Sequence, residues 1–377
     1  MSAAPQAITT LAHDRPVSPA AVESALSQLW RSAHREGDEG RVTRACLWNL
    51  VVYNPKPKKA FRNASGHGYG LRNLLDGVTP SIPSRIIRLE FAGKGELPKG
   101  AETAAWVAAK CVPRGGGEQQ ICSEEVNLLV GGKNGASHFP SLVRALLQPS
   151  LPIGLLWLDD LPHRGWLLDQ LVRLCDRLIF DSYSGDMESD LRTVKELMAE
   201  TKGLFVDIGW MRLTPVRHLL AGFFDAPSRA EHLRNIESVT VETTSAGRNA
   251  GLLLLGWLLS QCDYRRFEAA PKKKGVFHHW KVRAGKKSFP VEFKLSSGEG
   301  GRDGLIRIEI LAGGSRYAIR QVDAGHVELD PPVGPDAKRV LHGWSDSELV
   351  VAGLGAHGID PLYPRVLETA AALLAKV

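Results

Sequence analysis

The chain has 377 residues, 44% hydrophobic and 23% charged, the composition of an ordinary globular protein with room for about two domains of roughly 100 to 200 residues each. Its 47 lysines and arginines against 41 acids leave a formal net charge of +6, which excludes an arginine-rich nucleic-acid tail and by itself names no partner. The five cysteines, Cys46, Cys111, Cys122, Cys175 and Cys262, are odd in number and contain no C-x-x-C, which argues against a disulfide framework or a cysteine-built zinc site and for a reducing, cytoplasmic setting.

Met1 to Arg15 has no basic n-region followed by an apolar h-region, and the longest apolar stretch, Ala250 to Leu259, falls short of the roughly 18 residues a bilayer span requires. Ser18-Pro19 ahead of Val22, Leu26 and Leu29 sets a cap, a proline at the first helical position and an apolar stripe in succession, and predicts a helix from Pro19 to Arg35. After a polar linker, Glu36 to Gly40, a strand is expected from Val42 to Tyr53, stopped by Pro55 and Pro57. Lys56 to Gly70 reads as a basic, glycine-rich loop, Leu71 to Asp76 as a short helix, and Ser84 to Phe91, Thr103 to Val112 and Ile121 to Val130 as strands, with Gly115 to Gly117 in a connection.

The rhythm then changes. Phe139, Leu142, Val143, Leu146 and Leu147 fall on one helical face, and apolar strands at Pro152 to Leu158, Arg177 to Asp181, Leu204 to Ile208 and Ser238 to Thr243 alternate with helices. Those helices are Gly165 to Leu174, Glu188 to Thr201, Thr214 to Phe224 and Ala246 to Gln261. Such alternation predicts a doubly wound sheet. From Tyr264 to Leu341 the pattern becomes short alternating strands between Gly, Pro and Lys turns, an antiparallel meander, followed by helices at Ser345 to Leu354 and Pro361 to Lys376 that would cover one of its faces. The fold class expected is α/β: an N-terminal mixed and doubly wound α/β part, then an antiparallel β-rich C-terminal part with closing helices. The domains expected are an N-terminal helix and linker at 1–40, an α/β domain at 41–183, and a C-terminal domain at 184–377 that includes the meander 264–341 and helices 345–376.

No complete catalytic motif emerges. Gly131-Gly132-Lys133 lacks the leading glycine and the Ser or Thr of a phosphate loop, and Gly66-His67-Gly68-Tyr69-Gly70 has Leu71 where a dinucleotide fingerprint needs its third glycine. Asp181-Ser182-Tyr183-Ser184-Gly185 has Asp where a nucleophile elbow needs glycine. There is no H-E-x-x-H, and the adjacent His278 and His279 would point to opposite faces of a strand, so no metal is expected. Cys46, Cys111 and Cys175 lie in apolar segments and read as core residues. Glu124 and Glu125, adjacent in a strand, face opposite sides and make no acid/base pair. Asp159 and Asp160 follow a parallel strand at its carboxyl end, where ligands bind in such sheets but where solvated turn residues are also common.

Two clusters carry charge that asks for a partner. In Trp210-Met211-Arg212-Leu213-Thr214-Pro215-Val216-Arg217, Thr214 is placed to cap a helix with Pro215 at its first position, and Arg212 and Arg217 flank that positive end. An external anion or an internal carboxylate would satisfy them equally. From Tyr264 to Arg320 there are 14 lysines and arginines, Lys272, Lys273 and Lys274 among them, against five acids, either a nucleic-acid surface interleaved with Phe277, Trp280 and Phe289 or a solvated sheet face with basic edges.

Several segments occur in a telling order: Arg44-Ala45-Cys46-Leu47-Trp48-Asn49-Leu50, Ser84-Arg85-Ile86-Ile87, Cys122-Ser123-Glu124-Glu125-Val126 and Pro140-Ser141-Leu142-Val143. Leu151-Pro152-Ile153-Gly154-Leu155-Leu156-Trp157, Asp176-Arg177-Leu178-Ile179-Phe180-Asp181-Ser182 and Trp210-Met211-Arg212-Leu213-Thr214-Pro215 follow. The succession resembles the glucose-6-phosphate dehydrogenase assembly protein (OpcA) family of bacteria over roughly Arg41 to Gly256. What the resemblance implies is a non-enzymatic partner, without cofactor, that binds glucose-6-phosphate dehydrogenase and promotes its assembly or allosteric activation at the entrance of the oxidative pentose phosphate pathway. A nucleic-acid-binding module using the 264–320 surface is the alternative. Photosynthetic members are associated with redox control through C-terminal cysteines; no cysteine follows Cys262 here, and that mechanism is not carried over. Trp210, Arg212, Arg217, Lys272, Lys273 and Lys274 are the partner-binding candidates, because Trp and Arg are enriched at interface hot spots, and Arg85 and Arg212 are the anion-binding candidates.

Overall fold

The computed structural model describes residues 8–35, 42–55, 61–62, 68–69, 71–113, 119–132, 135–161, 165–182, 187–200, 203–285, 287–298, 300–301, 303–323, 325–332, 336–341 and 343–377. The expected linker 36–40, most of the 56–70 loop with its dinucleotide-like run, the 115–117 connection, Lys133 and the 183–185 part of the elbow-like motif lie outside the described residues.

In chain order the first half comprises β1 (Thr9–Ala12), α1 (Val22–Arg35), β2 (Val42–Arg44), β3 (Trp48–Tyr53), β4 (Phe61–Arg62), β5 (Gly68–Tyr69), α2 (Leu71–Val78), β6 (Ser84–Phe91), β7 (Thr103–Pro113) and β8 (Gln120–Val130). It continues through α3 (Phe139–Leu146), β9 (Ile153–Trp157), α4 (Trp166–Val172), β10 (Arg177–Phe180), α5 (Met187–Glu200) and β11 (Leu204–Asp207). The strand expected from Val42 to Tyr53 is thus two strands, broken at Ala45-Cys46-Leu47, because β2 pairs with β8 while β3 runs between β6 and β9. The nine-stranded sheet has the order β1-β7-β8-β6-β3-β9-β10-β11 with β2 beside β8. From β3 the chain winds outward through β6 to β8, then crosses to β9 and winds the other way, all parallel. This is the doubly wound order, with its switch point between β3 and β9. β7 and β1 add antiparallel strands at one edge.

The second half holds α6 (Ile208–Arg212), α7 (Thr214–Gly222), α8 (Pro227–Ala230), β12 (Ile236–Thr243), α9 (Arg248–Gln261), β13 (Arg266–Ala269), β14 (His278–Ala284) and β15 (Lys287–Leu295). Then come β16 (Leu305–Ala312), β17 (Ser315–Asp323), β18 (His326–Asp330), β19 (Ala337–Val340), α10 (Asp346–Gly355) and α11 (Tyr363–Leu374). The second sheet has the order β13-β14-β15-β12-β16-β17-β18-β19. β12, expected to end the first sheet, instead lies at the centre of the second, parallel to β15 and antiparallel to β16. Its alternating burial marks a strand with one face on a core. Its helix α9, apolar on nearly every side, is sandwiched between that sheet and α11. Gly256 permits the close approach, since a Cβ there would stand 2.8 Å from the Val366 carbonyl oxygen.

The closing helices divide their labour. α11 packs on α9, and Trp280 of the second sheet donates its Nε1 proton to the Leu373 carbonyl at 2.9 Å. α10 does not cover the meander as expected. It returns to the first sheet, where Leu349, Val350 and Leu354 pack with Leu50, Val52, Ile86, Leu156, Ile179 and Val206. The other face of the first sheet, carrying Val51, Ile87, Val107 and Val126, packs on α1 through Val22, Leu26 and Leu29, in a core continuous with that of the second sheet. β11, beyond residue 183, is the last strand of the first sheet.

Candidate functional site

At the switch point, where doubly wound proteins bind ligands, the strand ends are occupied by rings. Tyr53 at the end of β3 stacks on Trp157 at the end of β9 with centroids 4.1 Å apart, and Phe139 meets Tyr53 edge-on. All three are buried. The residues after β3 are Asn54-Pro55-Lys56-Pro57, a sequence with prolines where a dinucleotide fingerprint has glycines. Trp157 Nε1 donates to the Asp160 carbonyl at 3.2 Å, which fixes the turn of Asp159 and Asp160.

Arg85, on β6, is 1% exposed and aimed at α1. Its Nε donates to Glu124 at 2.8 Å, its Nη1 to the Leu146 carbonyl at 2.8 Å, and both terminal nitrogens to Glu23. Glu124 also accepts from Trp30 Nε1 at 2.9 Å and pairs with Arg44 at 2.7 Å. With two carboxylates and a carbonyl in place, Arg85 has no donor set left for a free anion. Glu125 points to the opposite face as the strand period requires, to Lys110 at 2.9 Å and Arg88 at 2.7 Å. Those cations hold its carboxyl below the usual range against the opposing effect of burial.

The Trp210 to Arg217 stretch lies where the two sheets meet. Arg212, at the end of α6, is buried and forked onto Asp181 at 3.2 and 2.9 Å, with Asp346 at 3.0 Å. Burial disfavours its charge, yet the two carboxylates more than compensate and raise its pKa. Asp346 opens α10, whose Ser345–Glu348 capping box fixes the turn. Arg177 holds the other end of α10, donating to the Gly353 carbonyl at 3.0 Å and the Ala356 carbonyl at 2.6 Å while its guanidinium lies 4.9 Å over Trp48. A cation on the last carbonyls suits the negative end of a helix.

Two more buried carboxylates line this junction. Asp207, which ends β11, accepts from the Ser182 and Gly209 amides at 3.1 and 2.9 Å and from the Tyr363 hydroxyl at 2.8 Å. Burial, with the charge of Asp181 nearby, raises its pKa. Asp303 accepts from the Leu305 amide at 3.0 Å, and burial pushes its carboxyl up to about 6. Asp207 and Asp303 escaped notice in the sequence. Asp207 carried the same signal that singled out Asp159, a carboxylate at the end of a parallel strand; Asp303, in a glycine-rich loop, carried none.

Trp210 is buried and donates to Asp360 at 2.7 Å, against the start of α11. Thr214 is not the cap of α7, a place taken by Leu213 without a side-chain bond; its hydroxyl accepts from Arg217 Nη2 at 2.9 Å. Arg217 lies with its guanidinium carbon 3.6 Å over the Trp210 ring.

Of the partner-binding candidates, Lys272, Lys273 and Lys274 are the exposed ones, in the turn between β13 and β14 beside the exposed ring of Phe277. Lys273 pairs with Glu292. This sheet carries a set of ion pairs: across strands Arg283 with Glu268, Arg316 with Glu309 and Asp330, and Arg320 with Glu328, and within a strand Lys294 with Glu292 and Arg307 with Glu309. Part of the basic excess counted along the chain is thus answered within and across strands, with Glu328 and Asp330 contributed from beyond residue 320, as in a solvated sheet face.

The cysteines correct the expectation drawn from their number. Cys111 and Cys122 stand opposite each other in the β7–β8 register and form a buried disulfide. Cys46, Cys175 and Cys262 are free, and burial raises their thiol pKa, to about 11 for Cys46 and Cys262. Among the described residues no cluster of three His, Cys, Asp or Glu has the geometry to hold a metal, and no helix is long and apolar enough to cross a membrane.

Residues 77–196 match the family model described as glucose-6-phosphate dehydrogenase subunit N-terminal domain, and 204–367 that of the C-terminal domain. The chain belongs to the OpcA family. Among curated relatives, an OxPP cycle protein OpcA of Synechococcus elongatus is 24% identical over 68% of this chain and 70% of its own length. Another, from Nostoc punctiforme, is 26% identical over 65% of each chain. The OpcA of Synechocystis is 24% identical over 64% of this chain and 47% of its own length. Among solved structures, biliverdin reductase of Synechocystis aligns with a TM-score of 0.46 at 8% identity over 87% of this chain and 97% of that one. So distant a likeness says nothing of chemistry. In this OpcA-family chain, Arg85, Arg88 and Arg212 form internal ion pairs, and exposed cationic and aromatic groups stand together in the β13–β14 turn.

Proposed function

We propose that the protein is a non-enzymatic partner of glucose-6-phosphate dehydrogenase that promotes its assembly and favours its active conformation. The observation that carries this reading is the match of both halves of the chain to the two dehydrogenase-subunit family models. The stacked rings at the switch point and the internal use of Arg85 and Arg212 agree with a chain that binds rather than catalyses. A partner raises activity only by binding the active state more tightly than the inactive one. The contact proposed is the β13–β14 turn, Lys272, Lys273 and Lys274 with Phe277, while Trp210 and Arg212 hold the junction between the two sheets in shape.

The test is the initial rate of the dehydrogenase from the same organism, with glucose 6-phosphate and NADP varied, with and without this protein, alongside light scattering of the mixture. A larger complex together with a rise in kcat or a fall in KM is expected. No complex and no rate change would refute the proposal. Replacing all three lysines by alanine should slow association and flatten its salt dependence; unchanged kinetics would remove the turn from the interface.

A further inference from the structure

The buried arginines differ in how their charge is answered. Arg85 meets Glu23 and Glu124, Arg88 meets Glu90 and Glu125, Arg212 meets Asp181 and Asp346, and Arg177 donates to two α10 carbonyls. Arg217 is the exception. It is 8% exposed, yet no carboxylate among the described residues forms an ion pair with it, and its Nε, like those of Arg88 and Arg177, is buried without an acceptor. Its hydrogen bond is to the neutral Thr214 hydroxyl. Asp360 acts on it electrostatically, but the oxygens of Asp360 already accept from Trp210 Nε1 at 2.7 Å and the Leu362 amide at 2.9 Å.

The geometry explains what is missing. The guanidinium carbon lies over the Trp210 ring, 3.6 Å from its centroid, a cation–π contact. The N–H donors of a guanidinium point outward in its own plane, so a ring beneath it answers none of them, and Thr214 answers one. Burial of a cation without a counter-charge is costly, and here it holds the pKa of Arg217 down to about 10. With its face on a ring, one Nη2 proton on the Thr214 hydroxyl and its Nε without an acceptor, the guanidinium keeps N–H donors that suit the oxygens of a carboxylate or a phosphate.

We propose that Arg217, held over Trp210, is an oxyanion-binding site at the start of α7. The oxyanion comes either from an acidic side chain of the partner, a version that rests on the dehydrogenase-binding reading above, or from a free phosphate group.

The probe is the side-chain Nε–H resonance of Arg217 in the full chain, followed by nitrogen-15 NMR as inorganic phosphate replaces chloride at constant ionic strength, with Tm read in parallel. A saturating shift of that resonance and a rise in Tm, both lost in Arg217→Gln, would establish the free-phosphate source. No effect of phosphate, but affinity for the dehydrogenase weakened about tenfold in Arg217→Gln as expected for a lost charge-assisted pair, would establish the partner's carboxylate. Arg217→Lys, which keeps the charge and loses the fork, should restore little of either. If phosphate leaves the resonance unmoved and the variant binds the dehydrogenase like the wild type, the proposal is overturned. Should the wild type itself not bind the dehydrogenase, the functional reading fails, and the phosphate titration decides the site alone.

Discussion

Replacing Arg212 by methionine should cost about 3 kcal/mol of stability, and the number follows from its surroundings. The side chain is 4% exposed and makes three charge-assisted hydrogen bonds, at 3.2 and 2.9 Å to Asp181 and 3.0 Å to Asp346. Removing one partner of a buried ion pair costs about 3–5 kcal/mol, mainly by stranding the other charge. The carboxylate side chains of Asp181 and Asp346 are 19% and 13% exposed, so water relieves part of the penalty and the low end applies. For a chain of 377 residues, at about 2.1 cal/mol/K of unfolding entropy per residue, 3 kcal/mol moves Tm by only about 4 °C. Urea unfolding, where the loss is read from the midpoint at unchanged slope, is therefore the better assay. Asp346→Asn in the Arg212→Met background should add less than it does alone, with a coupling of about 1–2 kcal/mol. A loss under 1 kcal/mol, or strict additivity, would refute the view that this guanidinium holds α10 to the first sheet.

Asp303→Asn keeps the acceptor for the Leu305 amide and removes a carboxyl whose folded pKa is raised to about 6. A raised carboxyl stabilises the fold below its unfolded value near 4 and loses that contribution as pH climbs through 6. The variant should therefore match the wild type at pH 4 and exceed it by on the order of 2–3 kcal/mol at pH 7; an advantage that does not grow with pH would contradict the burial argument. Reduction of Cys111–Cys122, or the double serine variant, should cost about 2–3 kcal/mol through the freed 11-residue separation. Equal urea midpoints with and without reductant would show that the bridge adds nothing to a register already fixed by β7 and β8.

Local signals placed the elements well because they live in short windows. The apolar stripe of α1, the apolar runs of β9 and β10, and the turns of the second sheet are all decided within a few residues. Errors arose where the partner is distant in sequence. β12 reads like its alternating neighbours but pairs with β15 and β16, and α10 carries an apolar face that fits either sheet. The same limit governed the site. Two guanidiniums near one helix start look alike in the sequence, yet Arg212 meets Asp346 from across 134 residues while Arg217 finds a ring and a neutral hydroxyl. The disulfide depended on register: once β7 and β8 form a hairpin, Cys111 and Cys122 are opposite, a relation that cysteine counting does not contain.

The two family-matched segments, 77–196 and 204–367, invite a division into independent halves, which the packing opposes. β11 begins within the second segment yet pairs with β10 of the first sheet, and α10 covers that same sheet from the far end of the chain. Cutting the chain after Trp344 would uncover the partners of Leu349, Val350 and Leu354 in the first sheet and of Tyr363, Val366, Leu367 and Leu373 against α9 and the second sheet. At about 1.5–3 kcal/mol for each buried apolar side chain, those seven residues account for roughly 10–20 kcal/mol, as large as the whole stability of a typical protein at about 5–15 kcal/mol. Residues 1–344 expressed alone should therefore aggregate or unfold without cooperativity, whereas the full chain melts in one transition. A monomeric fragment with a sharp urea transition would mean that the C-terminal helices are an appendage, and that the junction around Arg212 can form without them.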